Sequence, residues 1–140
     1  MKKRILSLAL SAAMALTMLP TGAFAAGDKG KPPVYNKATG CYEISTPDQL
    51  LYLSGSWKDG TPRDGHYVLT ADIDMTGVKG FKPIASKKEQ GFIGTFDGQF
   101  HAIKGLRVEY EKKYAGLFGY VGNQDDQAYI KDVALLDCYV

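Results

Sequence analysis

Three aspartates are the residues whose type and spacing could best support chemistry. Asp72 and Asp74 are two positions apart in an extended segment, so their side chains point to one side of a strand and could converge on a proton or on Ca²⁺. The alternative, which we favour, is that both face solvent or bind turn amides, because aspartate is common at turns. Asp97 precedes Gly98, and this pair predicts a tight turn in which Gly98 has a positive φ.

Other groups that catalyse or bind metal form incomplete sets. His66 and His101 are interpreted as equivalent positions of adjacent repeats, where stacked imidazoles could hold a metal, but no third ligand has a matching spacing. The sequence lacks the zinc motif His-Glu-x-x-His and the nucleophile motif Gly-x-Ser-x-Gly. We therefore predict no catalytic residue, no cofactor and no metal, and favour a protein that is not an enzyme.

Aromatic residues provide a second kind of candidate site. Trp57, Tyr110, Tyr114 and Tyr120 could form a platform for a glycan. The alternative, which we favour, is that they pack in the core and at its edge, because aromatic side chains dominate burial in small β domains. The ligand surface predicted from the sequence comprises Asp72, Asp74, Trp57, Tyr110 and Tyr114.

The elements that would position these residues begin after an export signal. A basic start at residues 2–4 is followed by an apolar run over residues 5–19 and by the small residues of a cleavage site at residues 23–25. The apolar run is shorter than the roughly 20 residues that cross a bilayer. The sequence therefore predicts a signal peptide over residues 1–25, a secreted or cell-surface location, and no transmembrane segment after cleavage.

Removal of the signal changes the charge of the chain. The whole sequence has 17 basic and 15 acidic residues, a net charge of +2. The signal contains three of the basic residues and none of the acidic ones, so the mature chain carries −1. A charge near zero argues against nucleic acid as a partner. The mature chain is long enough for one domain with its own core.

Two segments are predicted within the mature chain: a flexible leader over residues 26–40 and a folded module over residues 41–140. The leader starts without an apolar pattern and contains two adjacent prolines. At the start of the module, Thr46, Pro47 and Gln49 have the residue types of a capping box with proline at the first helical position. They predict a short helix that caps the N-terminal end of the fold.

Three later segments share one spacing of apolar residues, Val68-x-x-Ala71-x-Ile73, Ile103-x-x-Leu106-x-Val108 and Ile130-x-x-Val133-x-Leu135. Recurrence of one pattern at a period of about 30 residues is typical of a solenoid. We therefore predict a mainly β fold, a short right-handed parallel β-solenoid of about three coils. Val68, Ile103 and Ile130 are expected to lie in one column of that stack.

Longer motifs resemble a known family of bacterial surface modules. Residues 67–75 (YVLTADIDM) resemble its opening strand, and residues 94–103 (GTFDGQFHAI) resemble its next coil. Residues 114–119 (YAGLFG) with residues 129–133 (YIKDV) resemble the start of its glycine-rich repeats. Together these segments are similar to the GLUG-motif family, found in adhesin-like surface proteins and beside IgA-specific metallopeptidases. The resemblance implies a repetitive β fold at a cell surface.

These observations predict a non-catalytic module with an adhesion or spacer role in a bacterial surface protein. Its expected partner is a host or cell-wall glycan or protein. Two alternatives stay open, namely a fragment of a polysaccharide-processing β-helix enzyme and an accessory region of a secreted peptidase. The sequence stops within the first glycine-rich repeat, so we expect a truncated module whose C-terminal strand can associate edge to edge with another copy.

The two cysteines, Cys41 and Cys138, would ordinarily predict a disulfide in an exported chain. The expected fold places them at least two strand spacings apart, about 10 Å, beyond the ~7 Å Cα separation that a disulfide spans. We therefore predict that both thiols are unpaired.

Overall fold

A computed structural model describes residues 30–55, 57 and 61–140, so the predicted signal peptide and the first residues of the predicted leader lie outside it. The described residues form eight β-strands, one α-helix and a 3₁₀ turn at Lys88–Gln90. In chain order the main elements are β1 (Val34–Asn36), β2 (Cys41–Ile44), α1 (Pro47–Leu53), β3 (His66–Leu69), β4 (Ile73–Asp74), β5 (Thr95–Asp97), β6 (Ala102–Lys104), β7 (Tyr129–Lys131) and β8 (Ala134–Leu136).

The strands form two sheets in which parallel pairing prevails. The first sheet has the order β1-β2-β3-β5-β7, and the second has the order β4-β6-β8. β1 runs antiparallel to β2, and the other strand pairs are parallel. The chain therefore passes from the first sheet to the second in three successive layers, β3–β4, β5–β6 and β7–β8. The predicted mainly β fold with parallel strand pairing is confirmed.

The register of the strands differs from the predicted column. Ile103 pairs with Ile73 on one side and with Leu135 on the other, all in the second sheet. Val68 and Ile130 lie instead in the first sheet. The prediction that Val68, Ile103 and Ile130 share one column is wrong.

The corner between the two sheets explains part of this error. The step from the column of Val68 in the first sheet to the column of Ile73 in the second takes five residues in the first layer, six in the second and four in the third. Val68 and Ile130 are therefore one position out of step in the first sheet, although Ile73 and Leu135 share a column in the second. Ile103 is the counterpart of Ile73, so the shared spacing matches it to a residue of the wrong sheet. Corners of different length keep both sheets in register, and equal spacing along the sequence does not mean an equal position in the fold.

Aromatic and aliphatic side chains from both sheets form one buried cluster. Tyr67 and Phe96, which are register partners in the first sheet, are both buried, and so are Ile73 and Ile103 in the second. The Tyr67 hydroxyl donates a hydrogen bond to the Pro62 carbonyl oxygen at 2.8 Å. Burial raises the pKa of Tyr67 well above its usual value, so the phenol stays neutral.

Helix α1 begins at the residues that form the capping box. The Thr46 side chain accepts a hydrogen bond from the Gln49 amide at 3.3 Å, and the Gln49 side chain accepts one from the Thr46 amide at 3.2 Å. These reciprocal bonds satisfy two amides that a helix start leaves unpaired. Leu50 and Leu53 are buried in the main cluster, so the helix packs against the core.

Strand β1 lies inside the range predicted as a flexible leader. Val34 pairs with Glu43 and Asn36 pairs with Cys41, and the Asn36 side chain accepts a hydrogen bond from the Ala38 amide at 2.9 Å in the connecting turn. The ordered structure therefore begins before residue 41. The predicted boundary between the leader and the folded module, at residue 41, is therefore too late. A three-residue strand is too short to show an alternating pattern in the sequence.

The two cysteines lie far apart in this arrangement. Cys41 is in β2, whereas Cys138 follows β8 in the third layer. Strands β3 and β5 separate β2 from β7, so about 14 Å lies between the first-sheet strands of the two regions. A bridge would need a Cα separation of less than about 7 Å. This geometry supports unpaired thiols, which remain a prediction for thiol labelling of the unreduced protein.

Candidate ligand-binding cleft

The structure divides the predicted ligand surface between two places. Trp57, Tyr110 and Tyr114 line one cleft. Asp72 and Asp74 lie at β4 of the second sheet and are not among the residues that line it. The three aromatic candidates therefore come together, but the two aspartates do not join them.

Each aspartate of this pair binds a backbone amide. The Asp74 carboxylate accepts a hydrogen bond from the Thr76 amide at 2.9 Å, and bonds from Thr76 hold the pKa of Asp74 below its usual value. The Asp72 carboxylate accepts one from the Ala102 amide at 3.0 Å. That bond, followed by the bond from His101, lowers the pKa of Asp72. The two side chains thus serve different turns, as the favoured interpretation of the sequence expects.

The two histidines do not occupy equivalent positions. His66 begins β3 and pairs with Thr95 in the first sheet. His101 precedes β6, and its Nδ1 lies 3.1 Å from a carboxylate oxygen of Asp72. The interpretation of a stacked pair is wrong because the register of the first sheet pairs residues 29 apart, which places His101 six residues beyond the partner of His66. No group of three potential metal ligands occurs within the described residues.

The turn after Asp97 is present, but Gly98 is not its left-handed residue. Positive φ values occur instead at Gln99 (48°) and Phe100 (63°). Gly98 is needed for space, because a Cβ there would overlap the Asp132 carbonyl oxygen of the next layer. The prediction of a positive φ at Gly98 is therefore wrong, since close approach of the layers dictates this glycine.

The cleft is built from three long connections that lie side by side. They are the segment after α1, the segment between β4 and β5, and the segment between β6 and β7. The Ser86 amide donates to the Gly55 carbonyl at 3.1 Å, which joins the first two connections. The Ile84 amide donates to the Leu117 carbonyl at 2.8 Å, and the Gly119 amide to the Ile84 carbonyl at 2.8 Å. The layers thus hold each connection in a fixed position.

Residues 114–119, which carry part of the family resemblance, anchor the third connection. Leu117 is buried, and the Phe118 ring lies 5.3 Å from the rings of Phe92 and Phe96. Gly119 lets the backbone approach closely, because a Cβ there would lie 3.0 Å from the Ala85 carbonyl oxygen. The residues of this motif therefore dock the loop that completes the cleft.

The cleft has a volume of about 990 Å³, at the upper end of the range for ligand sites. Among the described residues, its lining combines cationic and aromatic side chains with one carboxylate. The cationic residues are Lys82, Lys87, Lys88, Lys112 and Lys113, the aromatic residues are Trp57, Tyr110, Tyr114 and Tyr120, and the carboxylate is Glu89. We call this site the lysine–tyrosine cleft.

Two of the aromatic side chains are fixed by the protein interior. The Trp57 ring stacks on Phe92 at 5.8 Å, and its Nε1 donates a hydrogen bond to the Thr61 carbonyl oxygen. The Tyr110 hydroxyl donates to the Ser86 carbonyl oxygen at 3.3 Å. Rigid aromatic rings lose little conformational entropy when they bind a ligand.

Tyr114 is held in an unusual conformation at the cleft. Its φ is 66°, a left-handed value that costs a bulky residue of order 1–3 kcal/mol. The side chain is nevertheless 60% exposed, and its ring lies 5.1 Å from that of Tyr120. Backbone strain that presents an aromatic side chain to solvent is typical of a functional position.

Sequence reasoning found the aromatic residues of this cleft but missed its lysines. The signal was present as two Lys-Lys pairs, Lys87-Lys88 and Lys112-Lys113, separated by 25 residues, close to the period of the strands. A pair of lysines ordinarily indicates a solvated loop. Only the parallel stacking of the layers brings the two pairs to the same cleft.

A second groove of about 600 Å³ lies elsewhere on the molecule. Its described lining includes Lys79, Lys104, Arg107, Glu109 and Tyr139. Arg107 and Glu109 approach each other to 3.7 Å, so positive charge in this groove is partly neutralised. The groove therefore provides a matched control for the lysine–tyrosine cleft.

Comparison with known proteins reveals a partial similarity to halomucin of Haloquadratum walsbyi (strain DSM 16790 / HBSQ001), with 38% identity over 86 residues. The matched region covers 51% of this chain, and this chain spans about 1% of the length of halomucin. No family model matches the sequence, and no solved structure matches it. None of the helices in the described residues is long and apolar enough to cross a bilayer.

Proposed function

We propose that this chain is a non-catalytic module of a secreted or cell-surface protein, and that it binds a glycan through the lysine–tyrosine cleft. The observation that carries the proposal is the convergence of four aromatic and five cationic side chains on adjacent connections. Loops held by a rigid scaffold are the usual location of binding sites. A cleft of this composition favours an adhesion role over a spacer role.

A surface location has two independent supports. The N-terminal pattern of a basic start, an apolar run and a small-residue site is typical of an exported protein. The similarity to halomucin, a protein named as a mucin, fits a chain that works outside the cell. Because the chain spans so little of halomucin, the role of that whole protein is not carried over.

The scaffold belongs to the same proposal. Two parallel sheets joined layer by layer are consistent with a β-solenoid of about three coils, and the general rule for parallel crossovers favours a right-handed path. Helix α1 would cap its N-terminal end, since Leu50 and Leu53 are buried there. We also propose that the chain belongs to the GLUG-motif family, because its sequence motifs resemble those of that family.

The alternatives are a polysaccharide-processing enzyme and an accessory region of a peptidase. Acid–base chemistry by Asp72 and Asp74 is disfavoured, because their carboxylates bind separate turn amides and their pKa values are lowered. A general acid would require a raised pKa instead. The enzyme alternative predicts release of shortened or unsaturated sugars from a polysaccharide.

The test is glycan binding by the purified secreted protein and two variants. Tyr114→Ala removes an exposed ring from the cleft, whereas Tyr139→Ala removes an exposed ring from the second groove. We expect Tyr114→Ala to weaken binding about two- to tenfold, the contribution of one aromatic contact, and Tyr139→Ala to leave it unchanged. Equal binding by all three proteins, or release of sugar products, would overturn the proposal.

We also propose that the C-terminal edge of the layers associates with a second copy of the chain. β7 and β8 each lie at the end of a sheet, and Ile130, Leu135 and Leu136 are exposed apolar side chains there. An open strand edge with apolar neighbours is a template for another strand. Light scattering of the parent protein should show a dimer. Leu136→Lys should dissociate this dimer, whereas Val34→Lys, at the opposite edge, should leave it intact. A monomeric parent protein would contradict this proposal.

A further inference from the structure

We infer that the lysine–tyrosine cleft selects acidic polysaccharides, whose repeating sugars carry carboxylate, sulfate or phosphate groups. The inference rests on the proposed function, glycan binding, and specifies the class of glycan. It follows from the distribution of charge in the molecule, from the state of the lysines and from the presence of charged and aromatic groups in one cleft.

Charge is segregated between the cleft and the rest of the mature chain. The described lining of the cleft has five lysines and one glutamate, a local charge of +4. The remaining nine basic and fourteen acidic residues of the mature chain give −5. A cleft of net positive charge on a protein whose other residues are net negative concentrates the field and attracts anions.

The cleft lysines are not used to stabilise the fold. Within the described residues, none of the five ammonium groups forms an ion pair with a carboxylate. Lys131 illustrates the structural use of lysine in this protein, because its Nζ lies 2.9 Å from the Asp97 carboxylate in the neighbouring layer. The cleft lysines therefore keep their charge available for a ligand.

The arrangement matches a polymer that alternates charge and apolar surface. The connection that carries Lys87 and Lys88 lies beside the one that carries Lys112 and Lys113, because the Tyr120 amide donates to the Ala85 carbonyl at 3.0 Å. Aromatic rings line the same cleft. Rings can contact the apolar faces of sugar rings while ammonium groups bind acidic substituents.

Single-stranded nucleic acid has a related combination of anionic backbone and flat bases. The net charge of −1 and the predicted export of the chain disfavour it as the partner. Acidic polysaccharide is therefore the ligand class that the site favours.

The experiment measures binding of the purified secreted protein to polymers of matched length. Polygalacturonate carries carboxylate alone, dextran sulfate carries sulfate alone and phosphorylated dextran carries phosphate alone. Unmodified dextran is the neutral control, and oligo-dT is the nucleic-acid control. We expect an acidic glycan to bind at least about tenfold more tightly than dextran, and its affinity to fall roughly tenfold between about 50 and 200 mM salt, as two or three released counterions require.

Charge variants test whether the lysines of the cleft cause the preference for acidic glycans. Lys112→Ala combined with Lys113→Ala should weaken binding of the acidic glycan about tenfold. The matched variant, Lys79→Ala with Lys104→Ala, removes the same charge from the second groove and should bind as the parent does. Circular dichroism of both variants verifies folding.

The outcomes separate the inference from the function on which it rests. Equal affinity for dextran and the acidic glycans overturns the inference but supports a glycan-binding cleft. Binding of no glycan at all overturns both. Preference for oligo-dT, or equal losses in the two charge variants, also overturns the inference.

Discussion

The two ends of the stacked layers are built from similar short strands but meet solvent differently. At the N-terminal end, β1 covers the edge of β2, and the leucines of α1 are buried against the core. At the C-terminal end, the residues of β7 and β8 are all exposed. One column shows the contrast directly, since Ile73 and Ile103 are 1% and 0% exposed whereas their partner Leu135 is 48% exposed.

The contrast teaches that burial here depends on the position of a layer more than on residue type. An aliphatic side chain in the middle layer has a neighbouring layer on both sides. The same kind of side chain in the third layer has a neighbour on one side only within the described structure. Hydrophobic stabilisation scales with the area removed from water, so equivalent residues contribute different free energies.

The largest expected effect comes from truncating Ile103 and Leu135, two of the three side chains of that column. Ile103→Ala should lower the free energy of unfolding by about 2–5 kcal/mol, because it leaves a cavity between two layers. Leu135→Ala should cost less than about 1 kcal/mol, because its side chain is already half in water. Urea denaturation of both variants measures the difference, and equal losses would show that the third layer is as well packed as the second.

Glycines at close layer contacts give the next largest effect. A Cβ on Gly94 would overlap the carbonyl oxygen of Gly65 in the first layer, and one on Gly98 would lie 2.6 Å from the Cα of Val133 in the third. We expect Gly94→Ala to cost about 1–3 kcal/mol. Gly98→Ala should cost less, because the third layer can shift outward.

Gly116→Ala is the matched control for these two variants. Its nearest contact would be an ordinary one, 3.4 Å from the Phe118 carbonyl oxygen. Thermal unfolding of the three proteins tests the order, and a larger loss for Gly98→Ala than for Gly94→Ala would mean that the C-terminal layer is the more rigid end.

A smaller effect is expected at the start of helix α1, at the N-terminal end of the stacked layers. Thr46→Ala removes the side-chain oxygen that accepts from the Gln49 amide and should cost about 1 kcal/mol. Thr46→Ser keeps that oxygen and should unfold as the parent does. If both variants match the parent in chemical denaturation, the cap contributes nothing to the stability of this end.

The smallest effect concerns an ion pair between the second and third layers. The bond from Lys131, followed by the bond from the Gln99 amide, holds the pKa of Asp97 below its usual 3.8. A carboxyl with a lowered folded pKa stabilises the fold fully above the unfolded pKa of about 4, and this stabilisation is lost as pH falls through the folded value.

Replacement of that carboxyl should therefore flatten the acid side of the stability profile. Asp97→Asn is expected to lose less stability than the parent between about pH 5 and 2. Asp137→Asn, the same change after β8 in the third layer, is the control and should follow the parent curve. If the curves of unfolding free energy against pH superimpose for Asp97→Asn and the parent, this ion pair does not stabilise the contact between the second and third layers.

The sequence was sufficient for the elements that depend on local chemistry. The capping residues around Thr46 located α1, and the recurring spacing of apolar residues predicted parallel strands. Register could not be predicted, because the corners between Val68 and Ile73 and their counterparts differ in length by one or two residues between layers. Corner length is decided by turn geometry that the apolar pattern does not encode.

The candidate site was predicted in part for a related reason. Trp57, Tyr110 and Tyr114 were identifiable because aromatic side chains provide large, rigid contact surfaces for a ligand as well as for the core. The lysines were not, since charged side chains in loops are the ordinary surface of a protein. The lysines form a binding site only when the loops that carry them are neighbours, and the stacking of layers determines which loops are neighbours.

The spacing of the paired strands has a consequence for how the chain can fold during the export that we propose. Partners in neighbouring layers are 29 to 34 residues apart, from Tyr67 with Phe96 to Phe96 with Ile130. A chain that leaves a translocation channel amino end first therefore completes one layer before the next has emerged. Each finished layer is a template for the strand that follows, so folding can proceed in the direction of transport, without waiting for a distant segment.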